Sequence, residues 1–104
     1  MGRGMVLVAV ATAAVHAQEI GQPQKGRELA QQLCAECHAV RKNQDASPNP
    51  SAPRFATIAA VPGMSSTALY AALQTSHRTM PNVILDSDQM TNIIAYILSL
   101  RGGG

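Results

Sequence analysis

Residues 33–40 read LCAECHAV, and they hold the only two cysteines of a 104-residue chain. A histidine, His38, follows the second cysteine directly. Little else in the sequence is chemically unusual, so the architecture turns on what Cys34, Cys37 and His38 do. Three chemistries use a Cys-x-x-Cys spacing. A redox dithiol wants it at the start of a helix with a strand before it. Here the preceding residues, 24–38, read as the body of a helix, with Leu29, Ala30, Leu33, Cys34 and Cys37 at helical spacing and polar residues between them. A tetrahedral zinc site wants four ligands, usually as two close pairs, and the only further strong donor in the body of the chain is His77. The third chemistry is covalent haem attachment, the meaning of Cys-x-x-Cys-His. On a helix, residues three and four apart share a face. That spacing turns both thiols toward two vinyl groups, with the imidazole on the same side to reach the iron.

The context favours the third reading. Arg3 followed by an apolar stretch over residues 5–15 and the small-residue end "VHA" reads as a signal peptide, residues 1–17, cleaved before Gln18. The stretch is shorter than the ~20 residues of a membrane span. The alternative is an uncleaved membrane anchor. Cleavage leaves one domain, residues 18–104, with a net charge lowered from +2 to +1 by the loss of Arg3. Near neutrality argues against a nucleic-acid partner, which would need a basic face. Export, to the periplasm, is expected, and free thiols rarely persist in such an oxidising compartment. The chain is also poor in large apolar residues, with one Phe, two Tyr and no Trp. A domain this small needs a further staple or filler, and a haem supplies apolar mass.

No segment alternates as a strand would, and the rest of the chain reads as short helices joined by long loops. Prolines 48, 50 and 53 exclude regular structure from the loop after the motif. Residues 55–60 fit a helical turn broken by Pro62-Gly63, and a third helix starts at Ser65 or Ser66 and runs to about Ser76. The last helix has the strongest signature: Asp86 and Gln89 as a capping box, and Met90, Ile93, Ile94, Ile97 and Leu98 as one stripe.

With these residues in place, the chain resembles the class I, monohaem c-type cytochromes of the small exported bacterial type, over nearly all of residues 18–104. The quoted matches are Cys34-Ala35-Glu36-Cys37-His38, Gly26 two turns before it, "APRF" at 52–55 in place of a Gly-Pro-x-Leu segment, and "NIIAYILSL" at 92–100. The resemblance implies an all-α, cytochrome c-like fold of three to four short helices wrapped around one covalently bound haem c. It implies that Cys34 and Cys37 are the tethers and His38 the fifth ligand, that the Pro53 carbonyl orients its ring, with Pro50 second, and that Gly26 lets Tyr96 approach. It places the sixth ligand in "HRTMPN" at 77–82, hence Met80, with His77 the rival. The expected function is one-electron carriage between exported or membrane-bound redox proteins by transient docking, with Lys25, Arg41, Lys42 and Arg78 as a candidate rim. The alternatives are a cytochrome subunit of a dehydrogenase complex, and an open iron site for peroxide or a gas.

Overall fold

A computed structural model describes residues 2, 4, 5, 21–75, 80 and 83–102. The expected signal peptide falls almost wholly outside them, as do His77, Arg78 and Pro81. Four helices follow in order, α1 (Pro23–Leu33), α2 (Phe55–Ala60), α3 (Ser66–Gln74) and α4 (Ser87–Ser99), with no strand among the described residues. The all-α expectation holds.

Each helix start has a local cause. Pro23 opens α1, where its missing N–H would have had no intrahelical partner. Ser65 caps α3, its Oγ accepting from the Ala68 N–H at 3.1 Å. The expected box at α4 is complete: Gln89 N–H donates to Asp86 Oδ1 at 2.8 Å, and Asp86 N–H donates to Gln89 Oε1 at 3.0 Å.

The dominant packing is α1 against α4, with α2 and α3 also laid on α4. Met90, Ile93, Ile94, Ala95, Tyr96 and Ile97 of α4 are all buried, and with Ala30, Phe55, Ala59 and Leu69 they make the core. Gly26 is why α1 can lie so close. A Cβ there would collide with the backbone carbonyl of Asn92 and stand 2.8 Å from the Tyr96 Cβ. The approach to Tyr96 expected from sequence is present, and the tighter contact is to the Asn92 backbone. One turn earlier, Gly21 takes φ +103° and its missing Cβ makes room for the Thr91 carbonyl. Asn92 Oδ1 then accepts the Gln22 N–H at 2.8 Å, supplying the start of α1 with an acceptor that its own sequence lacks.

Two helical expectations need correction. The first helix ends at Leu33, not at His38, and Leu33 is 42% exposed rather than part of the apolar stripe. Beyond it the Cys34 and Ala35 N–H groups both donate to the Ala30 carbonyl, at 2.8 and 2.9 Å, so the ladder closes on one acceptor and stops. The third helix stops at Gln74, where Thr75 turns its Oγ1 back onto the Ala71 carbonyl at 2.7 Å.

Candidate haem-binding site

Cys34–His38 forms a separate turn after α1. Cys37 N–H and His38 N–H both donate to the Cys34 carbonyl, at 3.1 and 2.9 Å. The two cysteines and the histidine are thereby gathered at one corner, by a turn rather than by a continued helix. Three tertiary bonds hold the exit of this turn. Asn49 N–H donates to the Cys37 carbonyl at 3.0 Å, Ala39 N–H to Ser47 Oγ at 2.9 Å, and Phe55 N–H to the Ala39 carbonyl at 2.9 Å. These bonds occupy backbone groups of residues 37–39 that a continuing helix would have used.

His38 Nδ1 lies 2.7 Å from the Pro53 carbonyl. A carbonyl only accepts, so Nδ1 carries the proton and Nε2 keeps its lone pair for a metal. The Phe55 ring packs on the imidazole with centroids 5.3 Å apart and planes tilted by 51°. Tyr96 stands 6.4 Å from Phe55, centroid to centroid, and its buried hydroxyl donates to the Val40 carbonyl. Pro53 is exposed and only its carbonyl takes part.

Cys34 and Cys37 are free and half-buried. Burial pushes the Cys34 thiol up to about 11, so this environment favours a neutral sulfur over a thiolate. Among the described residues no group of three His, Cys, Asp or Glu side chains could hold a metal ion, and His77, the further donor a zinc site would draw on, lies outside them. Apolar side chains around the core complete the setting. Cys34, Ala35, Ile58, Met64, Leu73 and Leu85 each pack on it while remaining half-exposed. An apolar, planar group with one imidazole ligand and two thioether tethers fits this donor set.

Met80 is half-buried, and what flanks it, residues 76–79 and 81–82, lies outside the described residues, so His77 has no described position. Met90 is buried in α4, as the stripe predicted. Met64 is half-buried in the turn between α2 and α3, its carbonyl accepting from the Arg101 guanidinium.

Several contributors carry no sequence signal. Ser47 and Asn49 sit in a proline-rich loop with no period, and only the folded chain shows them holding the exit of the motif. Ala39 and Val40 are fully buried although they open a polar stretch. Of the proposed rim, Lys25, Arg41 and Lys42 are exposed. Arg27, which sequence reasoning missed, lines a cleft of about 490 Å³ with Arg41, Lys42 and Tyr96. Arg27 is one position from Gly26, so the close crossing that Gly26 permits also brings it to Tyr96 on α4.

A family model described as Cytochrome c matches residues 23–101. No curated protein and no solved structure matches the chain.

Proposed function

The chain belongs to the cytochrome c family, and from that premise we propose that it is a class I, monohaem, one-electron carrier that works after export. Haem c, covalently attached, is the family's cofactor, and electron carriage is the role it confers. When bound, the haem supplies a one-electron couple between ferric and ferrous iron. In this reading Cys34 and Cys37 are the tethers, His38 is one axial ligand, and Met80 is the other.

The observation that carries the proposal is the hydrogen bond from His38 to the Pro53 carbonyl. It commits Nδ1 and leaves the other ring nitrogen as the ligating one, and a hydrogen-bonded partner on the far nitrogen is the usual support of a ligating histidine. Imidazole and thioether together are neutral donors of the pair that raises potential. With both supplied by the chain, no coordination position is left for an exchangeable substrate, which favours carriage over catalysis.

Partners in this reading are exported or membrane-bound redox proteins, met transiently. The exposed Lys25, Arg27, Arg41 and Lys42 suit brief contacts, since exposed charges contribute to encounter more than to affinity. No described helix is long and apolar enough to cross a membrane. Export rests on Arg3 and the apolar residues 5–15, and an N-terminus other than Gln18 on the purified protein would count against cleavage there.

The ligand set is tested by absorption spectra of the oxidised protein and of Met80→Ala. A weak near-infrared sulfur-to-iron band is expected in the wild type and absent from the variant. High-spin features in the wild type would sink the carrier assignment.

A further inference from the structure

We propose that Phe55 is a positioning residue that fixes the plane of the His38 imidazole and so the orientation in which it is offered to iron. The inference rests on the ligand assignment made above. A hydrogen bond holds a distance well and an angle loosely, tolerating deviations of roughly 30° from linear. The 2.7 Å bond from Nδ1 to Pro53 therefore anchors one ring atom and lets the ring rock about it. The side chain's own torsion does not settle the matter, because the last torsion of histidine is broad and roughly two-fold. A rigid ring held against it at a fixed inclination, here 51°, does.

Phe55 is placed to be that ring, with centroids 5.3 Å apart, and it is itself immobilised. It is 4% exposed, its N–H is bonded to the Ala39 carbonyl, and the Tyr96 ring lies 6.4 Å away, centroid to centroid. Tyr96 is in turn bonded through its hydroxyl to the Val40 carbonyl. Ala39 and Val40 are the two residues after His38, so each restraining ring is fastened to the same backbone that carries the restrained one. The circuit His38, Ala39, Phe55 closes within one hydrogen bond and one ring contact. Small movements elsewhere in the chain then shift both rings together and leave their mutual angle unchanged. The segment resembled a Gly-Pro-x-Leu pattern, and at its last position this chain has an aromatic residue. A leucine would fill much of the volume but presents no plane.

The test uses the oxidised holoprotein. The plane of an axial imidazole contributes to how unpaired spin is distributed over the haem, together with the orientation of the second ligand, and the four haem methyl proton resonances read that distribution. Phe55→Leu is expected to change the order or spread of the four shifts and to move the midpoint potential. Phe55→Met serves as a second ringless variant of similar volume should the first fail to hold its fold. Tyr96→Phe loses a hydrogen bond yet keeps both rings, so it is expected to lose stability and retain the wild-type methyl pattern. Phe55→Tyr, which keeps the plane, is expected to retain it as well. A wild-type pattern in the ringless variants overturns the proposal, and so does a change in Tyr96→Phe as large as theirs. A wild type lacking a low-spin, histidine-ligated spectrum would overturn the ligand assignment and this inference with it.

Discussion

The α1–α4 crossing and the helix-free stretch from Cys34 to Arg54 are held by opposite means. At the crossing, what matters is an absent atom: Gly26 has no Cβ, and the Asn92 backbone fills the space. In the helix-free stretch, what matters is a set of single hydrogen bonds, each closing on one backbone group of residues 37–40. The first arrangement is a matter of shape and fails abruptly when atoms are added. The second is distributed and should fail by increments.

Gly26→Ala tests the first arrangement and should have the largest effect. Alanine is the better helix former by about 1 kcal/mol. The new methyl meets backbone, however, which cannot yield by changing rotamer, and overpacking of this kind costs about 1–3 kcal/mol or more. So deep a clash with backbone lies at the upper end of that range, and after the gain in helix propensity urea unfolding of the holoprotein should show a net loss of about 2 kcal/mol. An unchanged midpoint would mean that the helices separate freely, and the contrast with the loop would collapse.

Ser47→Ala comes next. Ala39 is fully buried and its N–H donates to Ser47 Oγ. Removing the oxygen leaves a buried donor unmade, which costs about 1–2 kcal/mol. The same titration should show it, with the haem absorption spectrum little altered.

Tyr96→Phe should be smallest at neutral pH, about 1 kcal/mol for one hydrogen bond, and it carries a pH signature. Burial raises the Tyr96 hydroxyl above its ordinary value of 10.0, with Arg27 and Arg41 pulling partly the other way. The folded state therefore holds this proton more tightly than the unfolded chain does. The stabilisation is fully present below pH 10 and is lost as pH rises through the folded value. Wild type and variant should converge in stability above pH 10, and a gap that stays constant would show that Tyr96 does not titrate in this way.

The contrast also explains what could be read in advance. Helices and caps follow local rules, so Asp86 with Gln89, Ser65, and residues 55–60 were legible from spacing alone. Gly26 was legible too, through the resemblance, because a glycine inside a helix is costly unless something approaches it. The end of α1 was not. Nothing local to Cys34-Ala35-Glu36 forbids helix, and the bonds that hold the chain just beyond it go to Ser47, Asn49 and Phe55, residues that share no period with the motif. Leu33 was misjudged for the same reason, since its stripe ends where the ladder ends. At the candidate site, the motif fixed the identity of Cys34, Cys37 and His38 as candidates. The ring packing of Phe55 on His38 is a property of the folded loop, and only coordinates reveal it.

The bond between Gln22 and Asn92 joins positions 70 residues apart, and it has a kinetic corollary. Bringing such distant segments together costs about 4 kcal/mol of chain entropy on a logarithmic estimate, before any contact at the crossing repays it. Contacts of this range slow a fold whose remaining pairings are mostly short. The same logarithm makes the closure forgiving of length, because even doubling the span would add only about 0.6 kcal/mol. Residues 61–65, between α2 and α3, form no helix, and insertions there should therefore alter the rate and free energy of closure little. The register of Gly21 and Gly26 against residues 91–96 allows no such freedom, since moving α1 along α4 by one residue brings a side chain against the Asn92 backbone. Evolution of this chain is thus free in how far apart its first and last helices lie in sequence, and tightly bound in how they meet.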